Sequence, residues 1–362
     1  MLEEHRQPLY DIEVIENATQ DDLDPMLVSA LLLREGQVHA RNFAQFDNMT
    51  ALIKLHILAE GTDGELHPTL GGLLALGRYP QYFFPRLCVN FTCYPGLTKT
   101  DGTSDGRRFT DMYTCIGSIP AMVQDTLAAV RRNMRTGARI VDGFRHDVPD
   151  YPLDAVREAL VNALMHRDYS PDSRGTAVAV DLYADRLVIS NPGGLYGGTT
   201  ILSLGKQPVM STRNQYFVSI LESTPLDTGT YVAENRGSGY NIIKESLRKA
   251  GMPEPVPTNS LSYFSLALYR KLDEVPASFR PNPTQQITTS MSYEQTGASI
   301  LQLDDYIVHV ITLKGTASMA ELIAATGRSR PTVLKSVQKL ISRGRIRPTE
   351  SKNSPKQRYM AV

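Results

Sequence analysis

Between residues 156 and 169 the chain reads Val-Arg-Glu-Ala-Leu-Val-Asn-Ala-Leu-Met-His-Arg-Asp-Tyr, and this stretch constrains the fold more than any other. Its spacing predicts a helix with Glu158, Asn162 and His166 four residues apart on one face. Val156, Leu160 and Leu164 form the opposite, apolar row. A carboxylate one helical turn from an amide suits a Mg²⁺-bound triphosphate. The amide oxygen meets the metal, and the carboxylate orients and deprotonates a water. An amphipathic helix with a merely wet face has the same spacing, so the segments that follow must decide.

Those segments are ordered. Ala177–Tyr183 alternates apolar and polar residues, Ala184-Asp185 makes a short connection, and Arg186–Ser190 returns, which predicts a β-hairpin. The second strand runs into Asn191-Pro192-Gly193-Gly194. Paired glycines let the backbone approach a flat ligand, and an Asn side chain bonds the edge of a base. Further on, Gly237-Ser238-Gly239 opens a second apolar helix, Tyr240 to Leu247. Free N–H groups at such a start favour phosphate.

Glu-x-x-x-Asn-Ala, a strand ending in a glycine box, and Gly-x-Gly before a helix stand in the order of the N, G1 and G2 boxes of the GHKL ATPases. The chain resembles that family, which shares the Bergerat nucleotide-binding fold. "REALVNALMHRDYS", "DRLVISNPGGL", "RN" and "GSGYNII" match more narrowly a RecG-related, Schlafen-AlbA-associated transcriptional regulator subgroup. The likeness covers roughly residues 5–270. It implies ATP and Mg²⁺ as cofactors, with Asn162 the metal ligand and Glu158 the general base. Asn191 takes the place of the Asp that reads the adenine amino group, keeping an acceptor oxygen without the charge. Gly193 and Gly194 would shape the base pocket, and Gly237 and Gly239 would contact phosphates. His166 and Arg167 stand one turn past Asn162, towards the phosphates, with pairing of Arg167 to Asp168 as the alternative. Residues 195–236 would be a mobile lid, with Arg213-Asn214 nearest the phosphates unless Arg213 is simply a solvated loop residue.

Competing nucleotide motifs are absent. Gln207 follows Gly205-Lys206, and Thr200 stands where a P-loop needs its first glycine. Ile242 occupies the third glycine position of a dinucleotide fingerprint. A Mg²⁺-dependent ATPase therefore stays open as an activity, and a P-loop helicase does not.

The 362 residues balance to a net charge of zero, but unevenly. From Gly297 onward there are eleven Lys and Arg against four Asp and Glu, while the remainder carries 27 against 34. A basic end on an acidic body predicts a polyanionic partner for that end alone. Pro276, Pro281 and Pro283 and a Gln/Thr/Ser run predict a linker over 273–299. Beyond it, Tyr306–Leu313 suits a helix, and Ser318 caps another over Met319–Thr326. A longer helix starts at Ser329, with Val333, Val337, Leu340 and Ile341 inward. Arg330, Thr332, Lys335, Ser336 and Lys339 face outward. Arg343–Val362 reads as a two-stranded wing. Residues 300–362 thus resemble a winged helix-turn-helix, which implies double-stranded DNA as partner, the longer helix in the major groove and Arg347, Lys352, Lys356 and Arg358 on phosphates. A winged helix used for protein contact, with room for a homodimer, is the other reading.

Residues 1–145 are expected to form an N-terminal α/β region without the subgroup's AlbA-type module. Helices are predicted near Met26–Arg34, Met49–Glu60 and Ile119–Met134, and a strand over Leu87–Tyr94. His67 reads as a satisfied loop histidine. Cys88, Cys93 and Cys115 lack metal-ligand spacing, and no apolar run nears the roughly 18 residues a bilayer needs. The start lacks a basic region followed by an apolar stretch, so a cytoplasmic protein is expected. The fold class is α+β: this N-terminal region, a Bergerat-type α/β sandwich over 146–272 and the C-terminal winged helix. The function expected is an ATP-binding, DNA-binding transcription regulator in which nucleotide gates DNA contact. An ATP-hydrolysing enzyme of DNA metabolism or defence and a degenerate nucleotide fold serving as a scaffold are the alternatives.

Overall fold

The computed structural model describes residues 9–103, 106–141, 144–206, 212–227, 229–233, 237–271, 307–308, 311, 316–326, 330–350 and 358–361, of which 136–141, 144–148, 324–325, 331–332 and 361 by backbone alone. The chain divides into two compact units, residues 1–280 and 281–362, each with its own hydrophobic core. The division falls inside the expected linker, 273–299, which lies outside the described residues.

In the first unit the helices are α1 (Pro25–Val38), α2 (Ala40–Phe43), α3 (Asn48–Lys54), α4 (Leu70–Leu76), α5 (Ile119–Asn133), α6 (Leu153–His166), α7 (Gln215–Ser223) and α8 (Gly239–Lys249). Short hairpins β1–β2 (Leu58–Glu60, Leu66–Pro68), β5–β6 (Thr136–Val141, Phe144–Pro149) and β9–β10 (Pro225–Asp227, Thr230–Tyr231) pair only with themselves. The main sheet contains β3 (Val89–Cys93), β4 (Asp111–Cys115), β7 (Val178–Leu182), β8 (Arg186–Pro192), β11 (Val256–Asn259) and β12 (Tyr263–Tyr269), in the order β11-β12-β8-β7-β3-β4. Only β3 and β7 pair in parallel, so the sheet is mixed. The hairpin forms as the alternation predicts, with Leu182 opposite Leu187.

One core runs from Ile15 to Leu268. The sheet draws β3 and β4 from the expected N-terminal domain and its other strands from the expected nucleotide-binding domain. The two regions therefore share a sheet and a core rather than meeting at an interface. At the join, Val89 and Phe91 of β3 are fully buried and β3 pairs in parallel with β7.

Helix α6 sets the site. Val156, Leu160 and Leu164 are buried, each stabilising by roughly 1.5–3 kcal/mol. That row packs into the layer shared with α5, α8 and β8. The helix stops where Arg167 turns extended, and its last carbonyls are satisfied from outside: Asn214 Nδ2 donates to Met165 O and Arg167 O, both at 2.9 Å. On the sheet side, Leu187, Ile189 and Asn191 alternate along β8 and face the helices. Their partners across the ladder are Leu268, Leu266 and Phe264 of β12.

Two predicted segments differ. The stretch expected as a helix over Met49–Glu60 is helical only to Lys54, then turns through His56, at φ 55°, into β1. Within the expected lid, Gln215–Ser223 is a core helix, with Phe217, Val218, Ile220 and Leu221 buried. Its first N–H groups, on Tyr216 and Phe217, are capped by the distant Asp11 carboxylate at 2.9 and 3.1 Å. Residues 215–223 are thereby removed from the expected lid.

The second unit has β13 (Ala317–Ser318), α9 (Met319–Thr326), α10 (Arg330–Ser342), β14 (Ile346–Pro348) and β15 (Arg358–Ala361), with strand order β13-β15-β14. Ser318 caps α9 as its position predicts. Its Oγ accepts from Glu321 N at 3.3 Å, while its own N–H donates to Glu321 Oε2 at 2.7 Å. Ile307, Ile311, Val333, Val337 and Leu340 are buried, whereas Ile341, expected inward, is exposed. It lies one residue past Leu340 and therefore about 100° round the helix. Among the described residues no helix is long and apolar enough to cross a membrane.

Candidate nucleotide-binding site

A cavity of about 210 Å³ opens between α6, α8 and the ends of β8 and β12. Glu158, Asn162 and His166 line it from α6, Asn191, Gly193 and Gly194 from the end of β8, and Gly237 and Gly239 from the start of α8. These segments, distant in sequence, meet because α8 packs on α6 and α6 on β8. The sheet floor is Ile189, Phe264 and Leu266, and Met165, Ile242 and Ile243 add apolar wall. One end is therefore a greasy slot and the other a polar pocket, the division a nucleotide needs.

At the polar end, the Asn162 amide nitrogen is committed. It donates to Glu158 O at 2.7 Å and to Glu158 Oε1 at 3.0 Å. That leaves Oδ1 as the face of the amide available for a cation or a donor. The Glu158 carboxylate lies 4.0 Å from Arg157 and is mostly buried. Gly239 sits directly over both side chains: a Cβ there would collide with the Glu158 carboxylate and come within 3.3 Å of Asn162 Oδ1. The missing side chain forms a cradle at a helix start that no side chain caps. The N–H groups of the first turn of α8 have no partner within the helix and face this end. A neutral amide oxygen and a carboxylate fit a hard divalent cation, and the N–H groups of a helix start fit the polyphosphate that carries it. Among the described residues no Lys or Arg lines the cavity, and backbone N–H groups at the start of α8 are donors suited to phosphate there.

At the slot end, Asn191 is buried. Its Nδ2 donates to Pro192 O at 3.1 Å, which fixes the amide and leaves Oδ1 as an acceptor. His166 also lines the cavity, where burial first, and Arg213 second, hold its pKa down to about 4. It is a neutral imidazole at pH 7, able to hydrogen-bond but not to neutralise phosphate.

Arg213 does not line the cavity. Its guanidinium donates to Gly194 O at 3.1 Å, lies 3.7 Å from Asp168 Oδ1 and stacks over Tyr196. It braces the glycine turn from behind, where Gly193 holds φ 86°. Burial acts to raise the Asp168 pKa, but the Ser170 N–H, the Ser173 and Ser170 hydroxyls and Arg213 outweigh it and hold the carboxylate ionised. Arg167 is fully buried and donates to the carbonyls of Ser173 and Thr176, so it faces neither phosphate nor solvent. Tyr196, Thr199, Ser203, Leu204 and Gly205, from the segment expected as a lid but not singled out for contact, also line the cavity. Asn241 latches that loop by donating to Gly205 O at 2.9 Å.

Residues 175–268 match the model of a family described as "Putative ATP-dependent DNA helicase recG C-terminal", and residues 1–90 match a domain of unknown function, DUF8451. The region from β7 to β12 has a GHKL-type, ATPase-like fold. Glu158 and Asn162 lie just before the matched span. Among solved structures, the DIP2311 protein from Corynebacterium diphtheriae is similar, with a TM-score of 0.51 at 13% identity. The likeness covers 100% of this chain and 66% of that one, and at such identity it shows the fold alone. No curated protein matches.

In the second unit, Arg330, Lys335, Lys339 and Arg347 are exposed and Ser336 is half-buried. The Thr332 side chain, Lys352 and Lys356 lie outside the described residues. Arg358, expected on phosphate, is partly exposed and engaged by its own unit. Its Nε donates to Thr316 Oγ1 at 2.9 Å, and its terminal nitrogen pairs with Glu321 Oε2 at 2.8 Å. The Ser318 N–H, the Ser318 hydroxyl and Arg358 hold the Glu321 pKa down to about 2. The carboxylate that caps α9 thus also pairs with Arg358 on the neighbouring strand.

Proposed function

We propose that this chain is a nucleotide-responsive DNA-binding regulator, taking ATP with Mg²⁺ in the first unit and duplex DNA on the second, which we read as a winged helix-turn-helix. One observation carries the nucleotide half: eight residues singled out for nucleotide contact, from three separate segments, line a single cavity. In this reading the adenine lies over Ile189 and Leu266 with its amino group donating to Asn191. The first turn of α8 receives the phosphates, and Asn162 Oδ1 holds the cation. Mg²⁺, when bound, neutralises phosphate charge. Glu158 is poised beside Asn162 to orient a water and take its proton, which favours slow hydrolysis as a second reading.

The DNA half rests on the surplus of seven positive charges after residue 297 and on α10 presenting Arg330, Lys335 and Lys339 outward. Gating requires that nucleotide bind one arrangement better than another. Duplex affinity measured with and without ATP·Mg²⁺ tests it, and equal affinities would remove the gating. Absence of ATP binding in calorimetry would remove the nucleotide half as well.

A further inference from the structure

The geometry points to a second cation site, for a borderline divalent metal such as Zn²⁺, formed by His67, Asp63 and Glu16 at the β1–β2 turn and independent of any nucleotide. One ligand atom from each residue lies within 4.8 Å of the other two. His67 is buried, its Nδ1 lies 2.8 Å from Ala18 O, and its Nε2 lies 3.0 Å from both Asp63 oxygens. A carbonyl only accepts, so Nδ1 must carry a proton. In a neutral ring, Nε2 then points a lone pair at a carboxylate. Positive charge is required between them, either a proton or a metal.

Glu16 favours the metal. Its carboxylate converges on the same point, held by the Thr62 N–H at 3.1 and 3.2 Å, while the Glu65 N–H holds Asp63 Oδ1 at 3.0 Å. A proton on Nε2 would leave one cation against two adjoining carboxylates. A divalent ion with a neutral imidazole balances both. Each ligand is also oriented by a backbone group outside the triad, as metal ligands ordinarily are. Gly61 keeps the space clear, since a Cβ there would meet Glu16, His67 and Asp63 together. One nitrogen and two oxygens, with Asp63 half-exposed to admit water, suit tetrahedral Zn²⁺ with a solvent fourth ligand. The ion would tie the segment around Glu16 to the turn. His67 lies two residues before Thr69, whose hydroxyl accepts from Gly72 N at 3.0 Å and caps α4.

The test uses the full chain, stripped with EDTA, dialysed and free of nucleotide, titrated with Zn²⁺ and separately with Mn²⁺ by calorimetry. Wild type is expected to bind one equivalent of Zn²⁺, and Glu16→Gln and Asp63→Asn to weaken it at least roughly tenfold. Both carboxylates are exposed, so folding should survive, as circular dichroism would report. Asn162→Ala should bind Zn²⁺ as wild type does, which separates this site from the nucleotide cavity. Equal binding by wild type and the double variant E16Q/D63N would overturn the proposal. So would no binding together with an Nε2-protonated His67 ring in ¹⁵N NMR at pH 7.

Discussion

Helices α6 and α10 are both amphipathic, with an apolar row and a polar row, and sequence periodicity treats them alike. Their surroundings do not. The polar row of α6 faces a cavity closed by α8 and two strand ends, whereas Lys335 and Lys339 of α10 face solvent. On α6, a carboxylate and an amide become a site because other elements confine what approaches them. On α10, charge alone defines the face, and charge attracts without selecting. The first arrangement predicts large, local mutational effects and the second small, distributed ones.

The largest effect should come from Asn162→Ala. Removing the oxygen that the cavity leaves free should weaken Mg²⁺·ATP binding about 100-fold, or about 2.7 kcal/mol, with thermal stability nearly unchanged because the side chain faces the cavity. Unchanged affinity in calorimetry would mean the cation is held elsewhere. Gly239→Ala comes next, at roughly tenfold to 100-fold, since a Cβ must displace the Glu158 carboxylate that lies against it. Gly237→Ala, at φ 64°, would strain the backbone instead, so comparing the two separates occlusion from strain.

A third measurement concerns pH. His166 titrates near 6.5 in an unfolded chain and at about 4 in the fold. Between those values the unfolded state binds more protons, so this residue makes stability rise with pH across that window. The contribution is complete above about 6.5 and absent below about 4. Thermal melts of wild type and His166→Gln should diverge in that interval. Parallel curves would show that the ring is not buried uncharged.

These outcomes bear on what the sequence made legible. The rows of α6, the β7–β8 hairpin and the cap of α9 were readable because period and capping are local. What stayed hidden depended on distant partners. Asp11 caps a helix more than two hundred residues away, which turns part of an expected lid into core. Asn214 closes the end of α6, and Arg213 braces the glycine turn, so a pair expected at the phosphates supports the pocket from behind. β3 and β4 join the strands of the ATPase-like region across the boundary expected near residue 145, a pairing between distant segments that local pattern does not report. Arg358 looked like any wing arginine until Glu321 fixed it.

That arginine gives the smallest and most discriminating prediction. Arg347 is exposed on β14, whereas Arg358 on the paired strand is spent on Thr316 and Glu321. If the second unit binds duplex through phosphates, Arg347→Ala should weaken it a few-fold for every sequence and lower the salt slope by about one. Arg358→Ala should leave that slope alone. Its cost should fall on the second unit's stability, by about 1 kcal/mol or less because the pair is partly solvated. Since Glu321 is held at about 2, that contribution is present above the ordinary Glu value near 4.5 and fades as pH falls towards 2. Equal salt slopes for the two variants would mean that the Arg358–Glu321 pair opens on DNA. Neither variant changing the slope would instead direct the partner search towards protein.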